Sequence, residues 1–228
     1  MKKIPDGSVD LVLCDLPYGM TDCKWDSIIP IDKLWAEYRR VLKSNGVTAL
    51  FGIQPFTTEL IRSNKAAFRY VWYWLKNAPT GFTYARYQPM RKVEEICVFY
   101  RKGATYNPQG LQEIEPGRIK TYKHDPTRGG ALWNVRSKSG EYTPRFTNYP
   151  KNVLEIDVER GMHPTQKPVA LLEYLIRTYT DEGETVLDNC MGSGSTGVAA
   201  KRTGRNFIGI ELSEQYFEIA KKRIEETS

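Results

Sequence analysis

The chain has 228 residues, 40% of them hydrophobic, and 33 Lys and Arg against 27 Asp and Glu give it a formal net charge of +6. That length suits one substantial domain, or one domain carrying an insertion, and no apolar run approaches the ~18 residues of a membrane span. The start, MKKIPDGSVD, has no apolar stretch behind its lysines and does not read as a secretory signal, while four scattered cysteines without a CxxC pair and only two histidines argue against a zinc site, a disulfide framework or a histidine metal cluster, so free thiols in a reducing cytoplasm are the expectation.

Residues 8–14 (SVDLVLC) read as a short apolar strand running straight into Asp15-Leu16-Pro17-Tyr18-Gly19. Residues 31–42 carry Leu34, Trp35, Tyr38, Val41 and Leu42 at helical spacing, and Ser44-Asn45-Gly46 reads as the helix stop. Residues 47–53 predict a buried strand, 57–63 a helix, and 69–75 and 94–100 two further strands. From 101 to 152 the alternation fails: the segment is rich in glycine, proline and aromatic residues and keeps no period. An irregular stretch of that length is usually functional or disordered, and its aromatics argue against full disorder. Regularity returns with a helix at 169–178, a strand at 185–189, a helix at 195–202, a strand at 206–211 and a capped helix at 213–226. Strands alternating with helices predict an α/β fold.

Charge is unevenly placed. Residues 101–150 hold nine basic and four acidic side chains, a net of +5, whereas 1–100 net +4 and 151–228 net −3. A basic middle segment points to a polyanionic partner, although a solvated basic face would look the same.

Two constellations carry chemistry. Met191-Gly192-Ser193-Gly194-Ser195-Thr196-Gly197 is a GxGxxG loop between a predicted strand and helix, and Glu211 ends the next strand, where a carboxylate can accept ribose hydroxyls. Together they describe a site for an adenosine-containing cofactor. Only 17 residues follow Glu211, so the downstream half of a dinucleotide fold would have to come from the N-terminal stretch by permutation, which counts against a nicotinamide dehydrogenase. The second constellation, Asp15-Leu16-Pro17-Tyr18, follows a buried strand. Its carboxylate and a main-chain carbonyl can each accept an N–H of a planar exocyclic amine, while the tyrosine ring stacks on the base. A strand-ending turn with a capping Asp is the bland alternative, and the glycine loop tips the balance away from it.

With these motifs in this order, the sequence resembles the β-class DNA amino-methyltransferases of bacteria and phages, which use S-adenosylmethionine. In that permuted order a D-P-P-Y motif comes first, then a target-recognition region, an H-P-T-Q-K-P motif and an F-x-G-S-G-T loop. Here they correspond to Asp15-Leu16-Pro17-Tyr18, residues 101–152, His163-Pro164-Thr165-Gln166-Lys167-Pro168 and residues 188–196. Leu16 stands where the family has its first proline. The resemblance also implies a strand and the start of a helix before residues 2–8, a strand that in the family helps close the adenine pocket.

The resemblance implies a Rossmann-like, circularly permuted, mostly parallel sheet. Residues 1–100 and 153–228 would form the catalytic and cofactor-binding domain, and 101–152 the target-recognition region. Methyl transfer to adenine N6 of a flipped-out base in double-stranded DNA is the leading expectation. An N4-cytosine or RNA methyltransferase, or a cofactor- and DNA-binding protein with little turnover, are the alternatives. Asp15, Leu16, Pro17 and Tyr18 would be catalytic. Asp188, Gly192, Ser193, Gly194, Ser195, Thr165, Gln166, Lys167 and Glu211 would bind S-adenosylmethionine, with no metal. Lys120, Lys123, Arg128, Arg136, Lys138 and Arg145 would neutralise phosphates. A cytoplasmic location, a homodimer and a cognate restriction enzyme complete what the resemblance admits.

Overall fold

The structure, a computed structural model, describes residues 1–17, 29–115, 118–119, 121–123, 141–159 and 166–227, with backbone alone at 122–123 and 141–142. In chain order the elements are β1 (Val9–Cys14), α1 (Ile31–Val41), β2 (Leu42–Gly52), α2 (Phe56–Ser63), β3 (Phe68–Thr80) and β4 (Arg91–Phe99). Four two-residue strands follow, β5 (Gln112–Glu113), β6 (Tyr122–Lys123), β7 (Glu141–Tyr142) and β8 (Phe146–Thr147). Then come β9 (Val153–Glu155), α3 (Val169–Tyr179), β10 (Thr185–Asp188), α4 (Ser195–Arg202), β11 (Asn206–Gly209) and α5 (Glu214–Glu225). The chain divides into two compact units, Met1–Asn107 with Lys151–Ser228, and Pro108–Pro150.

The first unit holds a seven-stranded sheet in the order β11-β10-β1-β2-β4-β3-β9. The pairs β11/β10, β10/β1, β1/β2 and β3/β9 are parallel, while β4 runs antiparallel to both β2 and β3. Successive side chains of β1 go to opposite faces. Leu11 and Leu13 join one apolar core with Val47, Ala49 and Phe51 of β2 and residues of α3 and α4. Val12 and Cys14 join the other, with Leu34, Trp35 and Tyr38 of α1 and Leu60 of α2. Helices on both faces explain why β1 reads as an unbroken apolar run rather than an alternating one.

The β1/β10 boundary is where the winding reverses. From β10 the chain moves outward through α4 to β11, and from β1 it moves the other way through α1 to β2. Such a reversal leaves a crevice beyond the carboxyl ends of the two central strands, and ligands of open α/β sheets bind there.

One local expectation is overturned. Ser44, Asn45 and Gly46 do not stop a helix in a loop; α1 ends at Val41 and these residues lie inside β2. The β1/β2 register shifts between Val9 and Leu11, and a Cβ on Gly46 would lie 3.2 Å from the Asp10 carbonyl oxygen. The turn-forming residues are used for an irregularity in strand pairing, so tertiary contacts outweigh local turn preference.

In the second unit, β5 pairs with β8 and β6 with β7, both antiparallel. Arg145 bonds Glu113 at 3.1 Å, and its guanidinium lies 5.2 Å from the centre of the Phe146 ring. Residues flanking this unit belong to the first: Asn107 donates its backbone N–H to Thr178 (2.8 Å) and its side-chain amide to Asp181 (2.9 Å), and Asn152 accepts from Tyr73 (2.8 Å). The irregular stretch is therefore anchored at both ends.

Candidate active site

Two loops leave adjacent strands at the reversal point. From β10 comes Asp188, whose carboxylate is buried and accepts the Thr196 hydroxyl (2.6 Å) and the Cys190 backbone N–H (3.0 Å). Burial pushes its carboxyl up to about 6, against the lowering effect of those hydrogen bonds. Asp188 thus ties the start of the glycine loop to the start of α4. Next to it, Asn189 accepts the buried Tyr38 hydroxyl at 2.5 Å.

The glycines of the loop divide their work. Gly192 sits at φ +50, and a Cβ there would meet nothing within 4 Å, so the backbone faces open space. A Cβ on Gly194, at φ +80, would lie 2.8 Å from the Ala220 Cβ of α5, and one on Gly197 would lie 2.7 Å from Phe207 of β11. Gly192 opens the loop; Gly194 and Gly197 let α4 pack against α5 and the sheet. The serines also face inward. Arg223 of α5 donates to the Ser195 hydroxyl (3.0 Å) and the Ser193 carbonyl (3.3 Å), and both serines are buried. Of the residues expected at the cofactor, Gly194 packs against Ala220, and Ser193 and Ser195 accept from Arg223. What the loop offers outward is backbone at Gly192.

Glu211 curls back onto this loop. Its carboxylate accepts the backbone N–H groups of Gly192, Leu212 and Ser213, each at 2.9 Å. It therefore braces the open glycine, and a carboxylate has lone pairs left for ribose hydroxyls. Gln166 adds a second feature: its side-chain Oε1 is buried with no hydrogen-bond partner among the described residues. Buried acceptors are almost always satisfied, so this one marks a place for a donor. An open glycine turn, a braced carboxylate and a waiting acceptor fit a nucleoside cofactor bearing an amino group.

From β1 comes Asp15-Leu16-Pro17. Leu16 is 4% exposed and packs into the core with α1, which explains how leucine serves at this place: its side chain anchors the turn. Pro17 has no N–H and biases Leu16 toward extended backbone. The Lys167 ammonium pairs with Asp15 Oδ2 and lies 3.4 Å from Glu94. Glu94 in turn bonds Lys76 at 2.9 Å, and Lys76 is only 3% exposed. Two carboxylates and two ammonium groups thus form one half-buried chain from the end of β1 to β4 and β3. Burial alone raises the Glu94 carboxyl, but Lys167 and Lys76 outweigh it and hold it below the usual range. Burial lowers the Lys167 ammonium, and Asp15 and Glu94 more than restore it. Lys167, expected at the cofactor, is placed as a partner of Asp15. Glu94 and Lys76 were not among the expected site residues, yet the signal was legible: Lys76 continues the inward series Trp72, Trp74 along β3.

Burial, with Cys190 and Asp188 adding to it, pushes the Cys14 thiol well up, the opposite of an activated nucleophile. Tyr18 and Thr165, with His163 and Pro164, lie outside the described residues, as do Lys120, Arg128, Arg136 and Lys138. Among the described residues no group of three or more His, Cys, Asp or Glu could hold a metal ion, and no helix is long and apolar enough to cross a membrane.

The profile of the DNA methylase family (N6_N4_Mtase) matches residues 9–222. The chain belongs to that family. Among its relatives is the DNA adenine methyltransferase YhdJ of Escherichia coli K12, 30% identical over 248 aligned positions that cover all of this chain and 80% of YhdJ. The Type II methyltransferase M2.DpnII of Streptococcus pneumoniae is 57% identical over 65 residues, which span 28% of this chain and 24% of that protein. Among solved structures, the M1.HpyAVI–SAM complex superposes with a TM-score of 0.63 at 26% identity, over 95% of this chain and 89% of that one. The doubly wound sheet is thus the Rossmann-like, permuted one that the motif order implies.

Proposed function

We propose that this DNA methylase transfers a methyl group from S-adenosylmethionine to the exocyclic N6 of adenine in double-stranded DNA, within the bacterial cytoplasm. One observation carries the proposal: Asp15 stands at the end of β1, directly beside the open glycine loop of β10. An acceptor for an amine and a cradle for a nucleoside meet across one strand boundary. Similarity over all of this chain and 80% of a protein named as an adenine methyltransferase supports adenine over cytosine. Buried free thiols at Cys14 and Cys97 suit the reducing cytoplasm. Similarity to a Type II methyltransferase supports a cognate restriction enzyme as a further partner.

Gly192, Glu211 and Gln166 would hold the cofactor. When bound, S-adenosylmethionine supplies an electrophilic sulfonium methyl. The N6 lone pair of adenine is delocalised into the ring, so the protein must aim it. Asp15 and the Leu16 carbonyl accept the two amine hydrogens, and the rigid Leu16-Pro17 turn sets the direction. Lys167 pairs with the Asp15 carboxylate and keeps it ionised beside the amine. The gain is alignment, helped by negative charge where positive charge develops. A base must leave the duplex to reach such a site. Residues 101–152 are proposed as the target-recognition region, with residues 1–100 and 153–228 holding cofactor and catalysis.

Incubation with labelled S-adenosylmethionine and mixed-sequence DNA, followed by digestion to nucleosides, tests this. N6-methyladenine is expected, and Asp15→Ala should lose it by about 100-fold or more while cofactor binding persists. N4-methylcytosine would replace the adenine assignment. Saturable cofactor binding without any product would leave a binder with little turnover, and undiminished turnover in Asp15→Ala would remove Asp15 from the mechanism.

A further inference from the structure

Between β3 and β4 the first unit projects a short arm, residues 81–90, which runs on into Arg91 and Lys92 at the start of β4. It begins at Gly81 (φ +91), makes one 3-10 turn at Phe82–Tyr84, and is closed by backbone bonds from Tyr84 N–H to Gly81 (3.1 Å) and from Tyr87 N–H to Tyr84 (2.9 Å). Local hydrogen bonds give it a defined shape. Yet its rings stand in water: Phe82 is 81% exposed, Tyr84 61% and Tyr87 87%. Large apolar rings left clustered on a surface usually mark a binding site.

Charge selects the partner. Arg86 on the arm and Arg91 and Lys92 at its end are exposed, and no acidic residue occurs from Asn77 to Val93. Rings interleaved with cations, without acids, match single-stranded nucleic acid: bases stack on the rings and phosphates meet the cations. An acidic protein surface would satisfy the cations but leave the rings without flat partners.

Position narrows the ligand further. At the root of the arm, Lys76 bonds Thr80 (3.4 Å) and Glu94 (2.9 Å), and the Thr80 hydroxyl reaches the Arg91 carbonyl (3.4 Å). Glu94 leads through Lys167 to Asp15. The arm is thus rooted in the ion-pair chain that holds the amine-accepting carboxylate.

We propose that residues 81–92 are a second DNA-binding element, separate from 101–152, whose rings stack on bases unstacked beside the target while Arg86, Arg91 and Lys92 pair with the flanking phosphates. This rests on the assignment of DNA as substrate. Flipping one base leaves its neighbours unstacked, and every base offers a face to a ring whatever its identity. The arm would thereby stabilise the opened duplex without choosing sequence.

The test compares two 30-base-pair duplexes of one sequence, intact or with a central unpaired adenine, by fluorescence anisotropy with the full chain. Wild type should prefer the bulged duplex. The double variant Phe82→Ala/Tyr87→Ala, at positions that support no core, should bind the bulged duplex at least about 5-fold more weakly and the intact duplex little changed. Arg86→Gln/Lys92→Gln should weaken both and flatten the salt dependence. Unchanged bulge preference in the ring variant overturns the proposal. So does loss of a dimer in sedimentation with DNA binding intact, which would assign the rings to a second copy of the chain. Methylation of mixed-sequence DNA by the same wild-type preparation is scored separately: methylation with an unaffected ring variant sinks the arm alone, and a bulge preference lost in the variant without any methylation sinks the enzyme assignment alone.

Discussion

Replacing Lys76 by methionine keeps the stem of the side chain and removes its charge. The side chain is 3% exposed, and its ammonium lies 2.9 Å from Glu94. Removing one partner of a buried pair costs roughly 3–5 kcal/mol, because the other charge is left without compensation. Glu94 here is 20% exposed and retains Lys167 at 3.4 Å, so the lower end, about 3 kcal/mol, applies. At about 2–4 °C per kcal/mol for a chain of this size, Tm should fall by about 6–12 °C. Adding Glu94→Gln removes the stranded charge and should recover at least half of that loss. Acid gives a second readout. The folded pKa of Glu94 lies below its unfolded value, so the unfolded state binds more protons; its contribution is present above the unfolded pKa and lost as pH falls through the folded one. Lys76→Met should therefore lose less stability on acidification than wild type. Thermal unfolding by circular dichroism between pH 3 and 7 measures all three variants. A Tm within about 2 °C of wild type for Lys76→Met, or a double variant less stable than the single, would refute the compensated chain of charges.

Asp188 titrates in the opposite sense: its folded pKa, about 6, lies above the unfolded value, so its favourable contribution is present below about pH 4 and lost as pH rises through 6. Relative to wild type, Asp188→Asn should gain up to about 3 kcal/mol between pH 4 and 7, and a pH-independent difference in urea unfolding would contradict this. Gly197→Ala would place a Cβ 2.7 Å from Phe207 and closer still to the Ile224 side chain. The clash outweighs the helix-propensity gain of alanine by about 2 kcal/mol, so a variant as stable as wild type would show that α4 is not held this close.

The alternation of the first unit was legible because each central strand is short, apolar and bounded by its own punctuation. Residues 8–14 and 185–189 had no competing helical period, and the glycine loop marked where β10 gives way to α4. Strand ends were less legible. β2 begins at Leu42, because pairing with β1 recruits Ser44, Asn45 and Gly46 that local preference would assign to a turn. β9 is three residues long and owes its existence to parallel pairing with Tyr73, Trp74 and Leu75, which no local pattern announces.

At the candidate site, spacing points to segments but not to the division of labour within them. A GxGxxG pattern cannot say which glycine faces a ligand, since open space at Gly192 and close packing at Gly194 both demand glycine. The inward turn of Ser193 and Ser195 depends on Arg223, which arrives from a helix far along the chain. The same holds for Asp15. Its neighbours in sequence supply the rigid turn, but its ionic partner comes from the segment before α3, and that partner is steadied by a carboxylate on β4 and a lysine on β3. A buried lysine on an otherwise aromatic strand face is costly unless something opposes its charge. Lys76 therefore implies Glu94, and Glu94, carrying a second ammonium, implies a further carboxylate to complete the neutral chain. Followed from the strand inward, that requirement for charge balance leads to Asp15 without reference to any motif.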